Sequence, residues 1–310
     1  MIVETMSYEE IAREYDKIHD SIFPRSKERI DCQGMRRYLL KHKNEENVWF
    51  KQLDYKVDHN TTFCVLPFTP GWKAFQRYGC HPYVLLNYNG TLDDMFTLAH
   101  EMGHAMHSNY SNEAQPYIYA GYKIFVAEVA STCNEILLME YLLKNTTDKK
   151  ERAYLLNHYL DSFKGTVYRQ TQFAEYEMLT NKMYEDGESL TADNLSSVYL
   201  ELNKKYYGSD IISDDQIAYE WARIPHFYYN FYVYQYATSY CAAFSVAHKI
   251  LEEGTPAVER YKKFLSGGCS MAPVELLKIA GVNLETPAPI QDALNAFGEI
   301  IKEMETLVED

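Results

Sequence analysis

Residues 97–108 read TLAHEMGHAMHS, and within them His100, Glu101 and His104 spell H-E-x-x-H. Histidines four apart stand on one face of an α-helix, about 5–6 Å apart at Cβ. That spacing suits two imidazoles gripping one zinc ion, with the glutamate between them acting as a base. The same stretch decides the local fold. Met95, Phe96, Leu98, Ala99, Met102, Ala105 and Met106 put apolar side chains on most sides of the helix, and a helix that is apolar nearly all round is buried. A glutamate and two histidines buried without a metal would leave costly polar groups to satisfy, which counts against an accidental motif.

Upstream, Thr91 is placed to cap this helix, with Asp94 as the reciprocal partner three residues on. Before it, HPYVLLNY (residues 81–88) is a short apolar run of strand formers followed by the turn pair Asn89-Gly90. Downstream the chain reads helical: 122–144, a long periodic stretch over 149–185, a helix starting at Thr191 or Asp193 and stopping at Gly208, and further helices at 214–223, about 229–253, 256–266, 273–280 and 289–309. At the N-terminal side, 7–19 reads as an amphipathic helix, GMRRYLLKHKNEENVWFKQL (34–53) as helical, and 54–75 carries mixed signals.

Composition narrows the function. The 310 residues carry a formal net charge of −14, the wrong sign for phosphate backbones or an anionic membrane surface. No apolar run approaches the ~20 residues that span a bilayer, and no signal peptide is visible at the N-terminus. The six cysteines are scattered with no C-x-x-C pair, so they read as free thiols in a reducing compartment and the expected location is the cytoplasm. Oligomeric state is not legible.

A hydrolytic zinc site has three protein ligands and one open position. Glu128, flanked by Phe125, Val126, Val129 and Ala130, is a candidate for the third ligand, and Glu135 and Glu140 compete on the same helix. Glu135 falls seven residues after Glu128, on nearly the same face, where a carboxylate suits the task of orienting a histidine. Residues 226–240, HFYYNFYVYQYATSY, hold six of the chain's 28 tyrosines. Aromatics at helical spacing usually pack a core, yet each buried hydroxyl wants a partner. On one helix Tyr229, Tyr232 and Tyr236 would share a face.

Three segments in order carry a resemblance to a known family: HPYVLLNYNGTLDDMFTLAHEMGHAMHS, QPYIYAGYKIFVAEVASTCNEILL and IPHFYYNFYVYQYATSY, with YKKFLSGGCSMAPVELLKIAGVN after them. Over roughly 78–310 the chain resembles the oligoendopeptidase F family, zinc metallopeptidases related to thimet oligopeptidase. The resemblance implies a mainly α fold: a helical, zincin-type metallopeptidase catalytic domain with a small β element before the H-E-x-x-H helix. It divides the chain into a poorly matched segment, 1–77, and a catalytic domain, 78–310. It implies Glu128 as the third ligand of one zinc ion beside His100 and His104, and Glu101 as the base. It also implies that His226, Tyr229 and Tyr236 line the site and bind the tetrahedral intermediate, with Tyr232 in reserve. Family members are longer, with an N-terminal lobe closing a channel, so the chain is expected to be the catalytic C-terminal part. The expected activity is hydrolysis of internal bonds in short unstructured peptides, with the HPYVLLNY strand adding the substrate backbone as an extra strand. The alternative is a weakly active or non-catalytic peptide-binding fragment of such an enzyme.

Overall fold

A computed structural model describes residues 65–66, 73–75, 78, 82–86 and 90–309. The helices expected at 7–19 and 34–53 lie outside the described residues. Three short strands, β1 (Val65–Leu66), β2 (Lys73–Phe75) and β3 (Tyr83–Leu85), form a sheet of order β1-β3-β2. β3 runs parallel to β1, with Val65 opposite Val84, and antiparallel to β2, with Ala74 opposite Val84. This corrects one expectation. Among the described residues the HPYVLLNY strand, β3 (Tyr83–Leu85), is central, paired with β1 on one side and β2 on the other, which leaves that strand no open side for a peptide backbone.

Helix α1 (Leu92–Ala114) follows the sheet. Gly90, at φ 83°, makes the turn into it, and Thr91 closes a full capping box. Its Oγ1 accepts from the Asp94 N–H at 3.2 Å, and the Asp94 carboxylate accepts from the Thr91 N–H at 2.9 Å. The short α2 (Tyr117–Ala120), which sequence reasoning did not anticipate, leads to α3 (Ile124–Asn145). α1 and α3 pack almost backbone to backbone at Gly103. A Cβ there would sit 2.5 Å from Ser131 Cα and 2.6 Å from the Ala130 carbonyl oxygen. Asn134 pins the pair by donating to the Ala99 carbonyl at 3.1 Å.

The expected helix over 149–185 is α4 (Lys149–Phe163) and α5 (Arg169–Glu185), joined by a wide π-helical turn at Lys164–Tyr168. α6 (Ala192–Tyr207) has Thr191 as its cap and ends at Gly208, φ 76°. The stretch expected to be helical at 214–223 is a 3-10 segment, Ile217–Arg223, and a second 3-10 turn covers Pro225–Tyr228. α7 (Tyr234–Glu253), α8 (Thr255–Leu265), α9 (Pro273–Ile279) and α10 (Ala288–Glu309) complete the chain.

The tyrosine-rich stretch is therefore not one helix. Asn230 and Phe231 take φ of 45° and 56°, left-handed values that cost a non-glycine residue roughly 1–2 kcal/mol. They break the backbone between the 3-10 turn and α7.

Two apolar cores result. The larger joins Val84 and Leu86 to the inner faces of α1, α3, α4, α7, α8 and α9, with Met102, Val129, Leu156, Phe163, Ala243 and Phe264 at its centre. The smaller, built from Phe173, Tyr176, Tyr199, Leu202, Ile224 and Val233, lies between α5, α6 and the 3-10 turns. Among the described residues no helix is long and apolar enough to cross a membrane.

Candidate active site

His100 and His104 project from α1 toward Glu128, one turn into α3. His100 Nε2 and His104 Nε2 are 3.1 Å apart, and Glu128 Oε2 lies 3.3 Å from the first and 3.4 Å from the second. Atoms about 2.0–2.1 Å from a tetrahedral metal stand about 3.3–3.4 Å from one another, so the triangle is the right size for one small divalent ion. Among the described residues this is the group of histidine, cysteine and carboxylate side chains that converges closely enough to hold one. Two imidazoles, once a metal displaces their proton, and one carboxylate also suit a borderline-soft metal chemically.

The surroundings hold the ligands in place. His100 Nδ1 donates to the Glu135 carboxylate, which turns its Nε2 toward the cluster. Ser131 Oγ donates to Glu128 Oε2 at 3.0 Å and to the Glu128 carbonyl. Burial alone would lower the His100 pKa, but Glu135 and Glu128 outweigh it and raise it to about 10. Burial would raise Glu128, but the two histidines hold its carboxyl well below the usual range. The three groups therefore share charge that a cation can replace. Glu101, between the two histidines in sequence, is 2% exposed and is not one of the three converging ligands.

His226 lies on the second 3-10 turn, and the tyrosines gather around it. Its ring is 6.0 Å from that of Tyr229, 5.3 Å from Tyr232 and 6.1 Å from Tyr236, with Tyr232 and Tyr236 5.6 Å apart. The four rings cluster because of the left-handed break, rather than along a helical stripe. Tyr236 starts α7 within the electrostatic reach of Glu128. Burial, then Tyr232 and Glu128, raise the pKa of its hydroxyl well above the ordinary value, so it stays a proton donor. Tyr229 is 61% exposed. Tyr240, by contrast, is buried edge-on against Phe163.

The remaining described histidines have packing partners: His107 is stacked on Tyr122 at 3.7 Å and His248 on Phe244 at 4.1 Å, and His158 lies tilted against Phe96 at 4.5 Å. His81 lies outside the described residues. Sequence reasoning passed over three contributors. Gly103 permits the close helix crossing, Ser131 steadies Glu128, and Tyr122 bonds Ser108 at 2.6 Å while backing His107. Gly103 had a signal, a glycine inside an otherwise helical pattern, which marks a packing or functional need. Tyr122 had none.

Comparison with known proteins follows the same segments. The model of peptidase family M3 matches residues 56–296. The chain is 53% identical over 263 residues to oligopeptidase PepF of Bacillus subtilis, covering 85% of this chain and 38% of that protein. It is 49% identical over 232 residues to chromosomal oligoendopeptidase F of Lactococcus lactis subsp. cremoris, covering 75% of this chain and 38% of the relative. The crystal structure of oligoendopeptidase F from Enterococcus faecium superposes with a TM-score of 0.63 at 49% identity, over 70% of this chain and 40% of that one. The chain thus spans about two fifths of the length of these relatives.

Proposed function

The chain belongs to peptidase family M3, and from that premise we propose that it is a zinc-dependent endopeptidase that cleaves internal bonds of short, unstructured oligopeptides. In this proposal residues 78–310 form the catalytic domain and act in the cytoplasm. The observation that carries the proposal is the convergence of His100 Nε2, His104 Nε2 and Glu128 Oε2 within one coordination sphere, with the buried Glu101 on the same helix.

A zinc ion held by those three residues would supply a water acidified to a pKa near 7 and a Lewis acid for the carbonyl oxygen. The chain's own groups do the rest. Glu101 takes the proton of the attacking water and returns it to the leaving amine. Glu135 keeps the His100 proton on Nδ1 and so keeps Nε2 available as a ligand. Tyr236 and His226, with Tyr229 at the rim, donate hydrogen bonds to the oxygen on which charge develops.

Incubation with a short peptide blocked at both ends, followed by mass spectrometry of the products, tests the reading. Internal cleavage is expected. Zinc and peptide binding without any product would instead favour a non-catalytic peptide binder.

A further inference from the structure

Helix α5 carries a carboxylate that the proposed chemistry leaves unused. Glu177 is 4% exposed. Among the described residues its carboxylate has one hydrogen-bond donor, the backbone N–H of Phe231. Burial raises its pKa and the Phe231 amide draws it back, with no cation contributing. A buried carboxylate without a cation is costly, so a fold that keeps one gains something else from it.

The position of the donor shows what that is. Phe231 is the second of two consecutive non-glycine residues with left-handed backbone, after Asn230. Such a turn persists only where its surroundings hold it. Tyr229 enters this turn and Tyr232 leaves it, and the rings of both lie against His226. α5 grips the segment at two points. Tyr176, adjacent to Glu177, packs on Phe227 at 5.1 Å, and Phe173 packs on the same ring at 5.5 Å. Glu177 then holds the Phe231 amide four residues further along.

We propose that Glu177 is a positioning residue for the hydrolysis: by holding the Phe231 N–H it fixes the left-handed turn that seats Tyr229 and Tyr232 around His226. It touches no reacting atom. The inference rests on the hydrolase reading given above, because it assigns Glu177 a part in that reaction. A charged acceptor suits the task since a hydrogen bond to an ionised group is roughly twice as strong as a neutral one, and the turn resists the geometry it is held in.

The test compares Glu177→Met, which keeps bulk and removes the acceptor, with Glu177→Gln, which keeps a carbonyl acceptor. Leu202→Ala, a packing deletion in the same small core, serves as control. Zinc content, kcat, KM and amide hydrogen exchange over 226–236 are measured for each. Glu177→Met is expected to keep its zinc, to lose about ten- to a hundredfold in kcat with little change in KM, and to exchange faster at the turn. Glu177→Gln should recover most of both. Leu202→Ala should melt earlier yet turn over normally below its midpoint. If the wild type cleaves peptide and Glu177→Met matches it in kcat and exchange, the positioning role is wrong and the hydrolase reading stands. A wild type that cleaves nothing overturns both.

Discussion

Glu101 and Glu128 are carboxylates on neighbouring helices with different duties in this account. Glu128 is a ligand, so Glu128→Gln, which keeps the size and removes the charge, should be purified with zinc depleted. Glu101 is a base, so Glu101→Gln should keep its zinc and lose about 10²–10⁴-fold in turnover. Metal analysis beside turnover separates them, and normal zinc in Glu128→Gln would point to Glu135 or another residue as the third ligand. In the proposed mechanism Tyr236 acts mainly in the transition state. Tyr236→Phe should lower kcat by about 10²–10³-fold with KM nearly unchanged. Tyr240→Phe, buried against Phe163, should cost stability and leave turnover alone. Two variants that both melt early and turn over normally would make the tyrosines packing residues. The two histidines and Glu101 were legible at this scale because H-E-x-x-H states its own geometry. Glu128 was not separable from Glu135 and Glu140 by spacing, because which carboxylate meets the histidines depends on where α1 and α3 cross.

That crossing belongs to the elements, and Gly103 sets it. An added methyl group would collide with the backbone of Ser131 and Ala130 rather than with a side chain that can swing away. Gly103→Ala should therefore destabilise the fold by about 1–3 kcal/mol and weaken zinc binding by pushing Glu128 away from the histidines. Gly165→Ala is the matched control, since a Cβ there meets nothing within 4 Å, and its thermal midpoint should hold or rise. Equal midpoints and equal zinc affinity in the two variants would refute the tight crossing. Helix positions were readable wherever apolar period and caps agreed, as at Thr91, Thr191 and Gly208. The break at Asn230–Phe231 was not, because no glycine or proline marks it. The turn is imposed from outside by α5, and local propensity carries no trace of such a contact.

Across the whole molecule, the described residues build two apolar cores. The larger core positions the His–His–Glu triangle through α1 and α3, and Val233 of the smaller one directly follows the turn around which the His226 and tyrosine rings gather. The mainly α architecture was readable from the helical period along the chain. The existence of two cores was not, because the same aromatic residues fit either one until the chain closes. Central to the account is that the peptidase chemistry depends on one metal ion seated in that triangle. The direct measurement is hydrolysis of one short blocked peptide by the purified chain, first as isolated, then after removal of metal by a chelator, then during titration with zinc. The account predicts that activity disappears on chelation and returns in proportion to added zinc, levelling off at about one ion per chain. Hydrolysis that survives complete removal of the metal, or zinc that binds there without restoring any cleavage, would contradict it.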